Sequence, residues 1–331
     1  IAGAVVVRSV ADSEDFGWLN WVSPLGWKTL VHPYVQNDWM AIGMIAGICV
    51  LAAGVVLFAE RQREYGSALV AVPSLIPPRT RRIRGPLHLS TVLNRSTILT
   101  WAIVIAGLTA FFIALTGSLS HWMEAAANLG QIFKDIFGDG DMQTALIGYI
   151  LKLTGILIAT MGVQVVVTYR SGEVDRTVDL QRSTGLQRWV PLGAASILSV
   201  AGLVLATVGA LGGGALGLWS QDTTVAADYD TLVPSTWSQL APALLLTGVA
   251  VAIVGIVPRF THVAWAPVVG AAILTLFGPV LSAPQWLIDL SPFEYVVTPN
   301  GGSWTPHLLM GAASIALIGL GWGGSQRREI H

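Results

Sequence analysis

Cysteine occurs once in the 331 residues, at Cys49, so no disulfide can form within the chain. Lying inside an apolar run, it reads as a small packing residue. Charge is scarce as well. Asp, Glu, Lys and Arg make up 11% of the chain, hydrophobic residues 53%, and the mean hydropathy is +0.65, which excludes an ordinary soluble domain. No phosphate-binding G-x-x-x-x-G-K-[ST] motif occurs. The nearest stretch, Gly26-Trp27-Lys28-Thr29, lacks the preceding glycine, so the chain does not hold ATP by that route. Its histidines (His32, His88, His121, His262, His307, His331) have no metal-ligand spacing, and no Ser/His/Asp order or carboxylate pair suggests itself. No catalytic, cofactor or metal site is therefore expected. The basic residues are spread over separate loops, which leaves no nucleic-acid footprint.

What the chain does have is long apolar runs. Seven are long enough to cross a bilayer, at 39–59, 98–119, 143–169, 190–217, 238–257, 262–281 and 305–324. The fold class expected is an all-α polytopic membrane protein. Fourteen of the eighteen Lys and Arg fall in the gaps 60–97, 170–189, 258–261 and 325–331. Basic loops stay in the cytoplasm, so those gaps and the C-terminus are expected there. Most acids lie in the opposite gaps (1–38, 120–142, 218–237 and 282–304), and tryptophans gather on that outer side as an interfacial belt would.

An internal repeat organises these runs. Trp18-Leu19-Asn20-Trp21-Val22-Ser23-Pro24 aligns with Trp286-Leu287-Ile288-Asp289-Leu290-Ser291-Pro292. Beyond a short gap, Trp39 pairs with Trp304, Arg63 with Arg328 and Glu64 with Glu329. Each copy runs from an outer Ser-Pro segment through an apolar span to a cytoplasmic Arg-Glu. The expectation is two like-oriented halves of six spans. Residues 1–59 would end the first half, 60–97 would form a cytoplasmic linker with an interfacial helix over 87–97, and 98–331 would be the complete second half. Seven spans and a chain beginning at Ile1 then suggest that the protein starts upstream, with about five first-half spans preceding this chain.

Within the spans, Lys152 is the ionisable residue to explain. It either snorkels or packs against a carbonyl, or it lines a substrate path. Arg170, Glu173, Arg176, Asp179 and Arg182 alternate in sign at a spacing of three, which builds a ladder of opposite charges on a helix. Such a ladder is either a solvated helix or a rigid surface for a cytosolic partner. Gly209, Gly213 and Gly217 recur every four residues and read as a packing seam or, alternatively, a flexible outer gate.

The order Arg170-x-x-Glu173, Asp179-Leu180, Arg188-Trp189, Pro258-Arg259-Phe260, Trp265 and Pro284-Gln285-Trp286 through Ser291-Pro292-Phe293 resembles a known family. It is similar to the permeases of actinobacterial ATP-binding-cassette exporters of the polyketide-antibiotic, tetronasin-type class. The chain departs from that pattern at Gly172, where the first of two glutamates is usual, and at Arg176, where glycine is common. The resemblance implies twelve spans, a separate cytosolic ATPase, usually a dimer, that binds ATP and Mg2+, and export of hydrophobic or amphiphilic compounds across the bacterial cell membrane. It makes 170–189, including Arg188, the coupling loop to the ATPase. It places Trp18, Ser23, Pro24, Trp286, Ser291 and Pro292 by an outer gate. Two other readings stay open: a membrane subunit that transmits motion without translocating anything, and, with few intramembrane acids to support it, an ion-coupled carrier.

Overall fold

A computed structural model describes residues 42–51, 54, 84–125, 142–174, 178, 185–221, 226–279, 281, 283–298 and 301–327. The chain divides into two units, Ile1–Arg81 and Arg82–His331. In the first, the described part is one apolar helix, α1 (Ile42–Leu51). Its Met44, Ile48, Cys49, Val50 and Leu51 are exposed.

The second unit is helical. Its elements are α2 (Pro86–Ala125), α3 (Met142–Val174), α4 (Val190–Trp219), α5 (Ala226–Ser238), α6 (Leu240–Ile256), α7 (Ala266–Phe277), the short α8 (Gln285–Ile288) and α9 (Thr305–Arg327). Two 3₁₀ stretches, Pro258–Trp265 and Pro292–Glu294, flank α7 and α8. Six helical segments among the described residues are long and apolar enough to span a membrane, the fourth combining α5 with α6 and the fifth the first 3₁₀ stretch with α7. This is an all-α polytopic membrane protein.

The spans differ from the apolar runs at their ends. Residues 87–97 do not form a separate helix but continue unbroken into the next span within α2. The stretch 226–238, read as part of an outer gap, is helical and leads into α6. Its Leu232, Ser235, Thr236 and Ser238 are buried while Asp230 is exposed, so a half-polar face hides a helix from a hydropathy count. Between α5 and α6, Pro242 has no N–H for the carbonyl of Ser238, and the helix breaks at Gln239. The turn after α6 is a single non-helical residue, Val257 (φ −131°, ψ 70°), kept out of the helical region by the proline that follows.

Lipid offers backbone groups no hydrogen bonds, so helices in it associate by close approach and by side-chain hydroxyls. Both occur here. α3 lies at the centre, with 67% of its most apolar stretch buried, against 17% for α9 at the periphery. Ser199 Oγ on α4 donates to the carbonyl of Gly162 on α3 (2.9 Å), and Thr109 of α2 meets Thr154 of α3 (3.2 Å). On the opposite side, Ser314 Oγ of α9 donates to Leu244 O of α6 (2.8 Å).

α4 turns Gly209, Gly213 and Gly217 toward the backbone of α2 at Ala102, Ala106 and Ala110. A β-carbon at Gly217 would stand 2.6 Å from Ala110 O, so only glycine permits this approach. α6 and α9 meet the same way. A β-carbon at Gly321 would lie 2.5 Å from Val251 O, and Gly255 faces the Gly321 backbone in return.

Candidate functional site

The sequence-derived residues fall at two ends of the helical unit. At one end, the chain between α7 and α9 does not pass outside the helices but folds back into them. Phe293 is fully buried, against Gly155 of α3 and near Gln239 at the α5–α6 break. Ser291 is buried, shares a hydrogen bond with Thr275 Oγ1 (2.7 Å) and donates to Ala271 O of α7 (3.3 Å). Ser235 Oγ of α5 donates to Val297 O (3.0 Å). His307 of α9 sets its ring nitrogens against Tyr295 O (2.8 Å) and Ser303 O (3.2 Å). Gly302 closes the segment at φ 95°, where a β-carbon would press on Val296 O.

Lys152 joins this assembly by an ion pair with Glu294, the last residue of the second 3₁₀ stretch. The two side chains are 23% and 14% exposed, so the pair is largely withdrawn from solvent. One oxygen of Glu294 receives the ammonium. The other, Oε1, is buried without a hydrogen-bond partner among the described residues. The pair settles how Lys152 is held: it reaches a carboxylate rather than a backbone carbonyl or the interface. The sequence hid this partner, because Glu294 lies in a polar gap 142 residues away.

Of the outer-gate candidates, Ser291 is sequestered by α7, Pro292 opens the 3₁₀ stretch, and Trp286 is 71% exposed on α8. Trp18, Ser23 and Pro24 lie outside the described residues.

At the other end, α3 runs 33 residues, about 50 Å, and so outlasts the roughly 30 Å hydrocarbon layer. Its last turn carries the first rung of the charge ladder. Arg170 Nη1 pairs with Glu173 Oε2 at 2.9 Å, and Tyr169 OH donates to Glu173 Oε1 at 2.9 Å. Both oxygens of this buried carboxylate are therefore engaged, which fixes the helix end in one rotamer. The rungs Arg176, Asp179 and Arg182 lie outside the described residues. Arg188 is exposed in the turn before α4, next to Trp189, whose ring stacks on Trp322 of α9 at 5.3 Å.

No group of three or more potential metal ligands occurs among the described residues. Among the described residues the acid–base pairs Lys152–Glu294 and Arg170–Glu173 are closed ion pairs that the arrangement uses to hold segments together. What it offers is a bundle with a folded-in segment at one end and a clasped, protruding helix at the other.

Comparison with known proteins places this architecture. Residues 83–324 match the family described as the C-terminal domain of the multidrug efflux system permease Rv1217c. The multidrug efflux system permease protein Rv1217c of Mycobacterium tuberculosis (strain ATCC 25618 / H37Rv) is 28% identical over 336 residues, which cover 99% of this chain. The chain spans 60% of the length of that relative.

Proposed function

The chain belongs to the multidrug efflux system permease family, and on that premise we propose that it is the membrane permease of an ATP-driven exporter of the polyketide-antibiotic, tetronasin-type class. It carries hydrophobic or amphiphilic compounds out of the bacterial cell, and a separate cytosolic ATPase, working as a dimer, binds the ATP and Mg2+. The observation that carries this reading is the end of α3. A membrane-crossing helix continues beyond the hydrocarbon layer and ends in the Tyr169–Glu173–Arg170 clasp, at the side where the basic loops lie.

Mechanically, closure of the ATPase dimer pushes on the loop 170–189, with Arg170, Arg176, Asp179, Arg182 and Arg188 as its contact residues and the buried Glu173 bracing the helix end behind them. The rigid α3 transmits that displacement along its length to Lys152. There it acts on the segment 283–298, where Trp286, Ser291 and Pro292 form the outer gate. The ion pair opens when the outer side opens, and the cost of parting it biases the resting state closed. Substrate crosses by way of a mostly apolar cavity shaped by small-residue spans rather than by charge. The C-terminus is cytoplasmic.

The test is ATP hydrolysis by the full-length protein purified gently from membranes with its co-purifying subunits. Turnover that rises with an amphiphilic drug supports the exporter. Drug movement that collapses with the proton gradient, in the absence of any ATPase, replaces it with an ion-coupled carrier. A stoichiometric ATPase indifferent to every drug, with no drug movement, replaces it with a subunit that only transmits motion.

A further inference from the structure

At the end of the unit opposite the folded-in segment, the first turns of α2 and α4 diverge and leave an open groove of about 430 Å3. That volume lies within the range of small-molecule sites, roughly 300–1,000 Å3. The groove has two chemistries. Leu87, Val190 and Ile197 give it an apolar floor, and Leu87 and Ile197 are about half exposed (49% and 48%). Arg84 and His88 stand on its rim, and none of the described residues that line it is acidic. The backbone N–H of Arg84 donates to His88 Nδ1 (3.1 Å), which leaves Nε2 as the ring's donor.

Trp189 forms the remaining wall and is held on three sides. Its ring packs on Gly193, where a β-carbon would come within 3.0 Å of it. Trp322 stacks behind, and the indole N–H donates to Gln187 Oε1 (2.6 Å). A fixed tryptophan at a helix end belongs to the headgroup level of a bilayer. In sequence, Arg84 closes a basic run that includes Arg79, Arg81 and Arg82.

We infer that this groove seats one anionic phospholipid. Its phosphodiester meets the Arg84 guanidinium and the His88 Nε2–H, and the start of an acyl chain lies over Leu87, Val190 and Ile197 against Trp189. Charge complementarity selects this occupant. A zwitterionic headgroup brings a cation against Arg84, and an apolar helix leaves the arginine fork unmatched. The inference needs only that the protein is membrane-embedded and does not depend on what it transports.

The test titrates dioleoyl phosphatidylglycerol into the full-length protein in mild detergent, with dioleoyl phosphatidylcholine as control and native mass spectrometry as the readout. Retention of one phosphatidylglycerol in preference to phosphatidylcholine is expected. Arg84→Gln removes a charge-assisted bond and weakens retention about tenfold. Leu87→Glu, at an exposed position that tolerates substitution, sets a like charge against the phosphate and weakens it similarly. Phosphatidylglycerol brominated in its acyl chain quenches tryptophan emission, and Trp189→Phe removes most of that quenching. Equal retention of both lipids, or no loss in either charge variant, overturns the proposal. So does displacement by soluble glycerol 3-phosphate at equal concentration, which would make the groove a headgroup site with no seat for the chain. A wild-type protein that retains no phosphatidylglycerol overturns it as well, leaving the groove to another part of the protein or a partner subunit.

Discussion

Lys152 on the central helix and Glu294, 142 residues later in the chain, form an ion pair that ties the segment folded between α7 and α9 to the middle of the bundle. Removing one partner leaves a largely buried charge alone. Lys152→Met and Glu294→Gln should each cost on the order of 2 kcal/mol, and the double variant less than their sum. Thermal unfolding of the four proteins in detergent measures the coupling, and strict additivity would mean the pair is energetically idle.

Gly212 and Gly213 are neighbours with opposite surroundings. A β-carbon at Gly213 strikes the Ala106 backbone, whereas Gly212 faces open space. Gly213→Ala should destabilise by roughly 1–3 kcal/mol as α2 is pushed away, and Gly212→Ala should stabilise by up to about 1 kcal/mol. The same melting assay compares them. Equal effects would show that α2 and α4 do not meet backbone to backbone.

Phe293 plugs the folded-in segment into α3. Phe293→Ala should lower stability by about 3–5 kcal/mol and free the segment before the bundle melts. In a Cys49→Ala background, Ser291→Cys should resist a membrane-impermeant maleimide until Phe293→Ala is added. Immediate labelling with Phe293 intact would show that Ser291 is not sequestered.

The same reagent reads topology. Trp286→Cys, at an exposed site, should label in intact cells, and Arg188→Cys only after permeabilisation. The reverse pattern would invert the orientation assigned from the basic loops.

Reversing Glu173 and Asp179 together to lysine should reduce drug efflux about tenfold or more while the ATPase still turns over and the protein stays in the membrane. Efflux and ATP turnover measured on the same vesicles separate these outcomes. Unchanged efflux would remove the loop 170–189 from the coupling role.

Six of the seven expected spans were legible because length and apolarity are enforced residue by residue in lipid, and the rest of 39–59 beyond Ile42–Leu51 and residue 54 lies outside the described residues. The Gly209, Gly213 and Gly217 row stood out for the same local reason, its spacing of one turn. Gly255 and Gly321 did not, since each is one glycine facing one backbone, without a repeat to mark it. Nor did α5, whose half-polar face dilutes its hydropathy. Glu294 was hidden most deeply. Nothing within its neighbourhood in sequence shows that the segment between α7 and α9 folds inward, and the lysine that answers it lies far away in sequence on α3.

Helices that meet through side chains can slide by exchanging rotamers. At Gly209, Gly213 and Gly217, α2 and α4 meet through glycine Cα atoms and the backbone of Ala102, Ala106 and Ala110, and Ile98 and Ile113 of α2 lock the pair by closing on Gly202 and Gly214 to either side. They cannot shear without first separating, so the pair behaves as one beam. Displacement inside this unit is left to the joint where proline has already interrupted the helix, at Gln239 between α5 and α6.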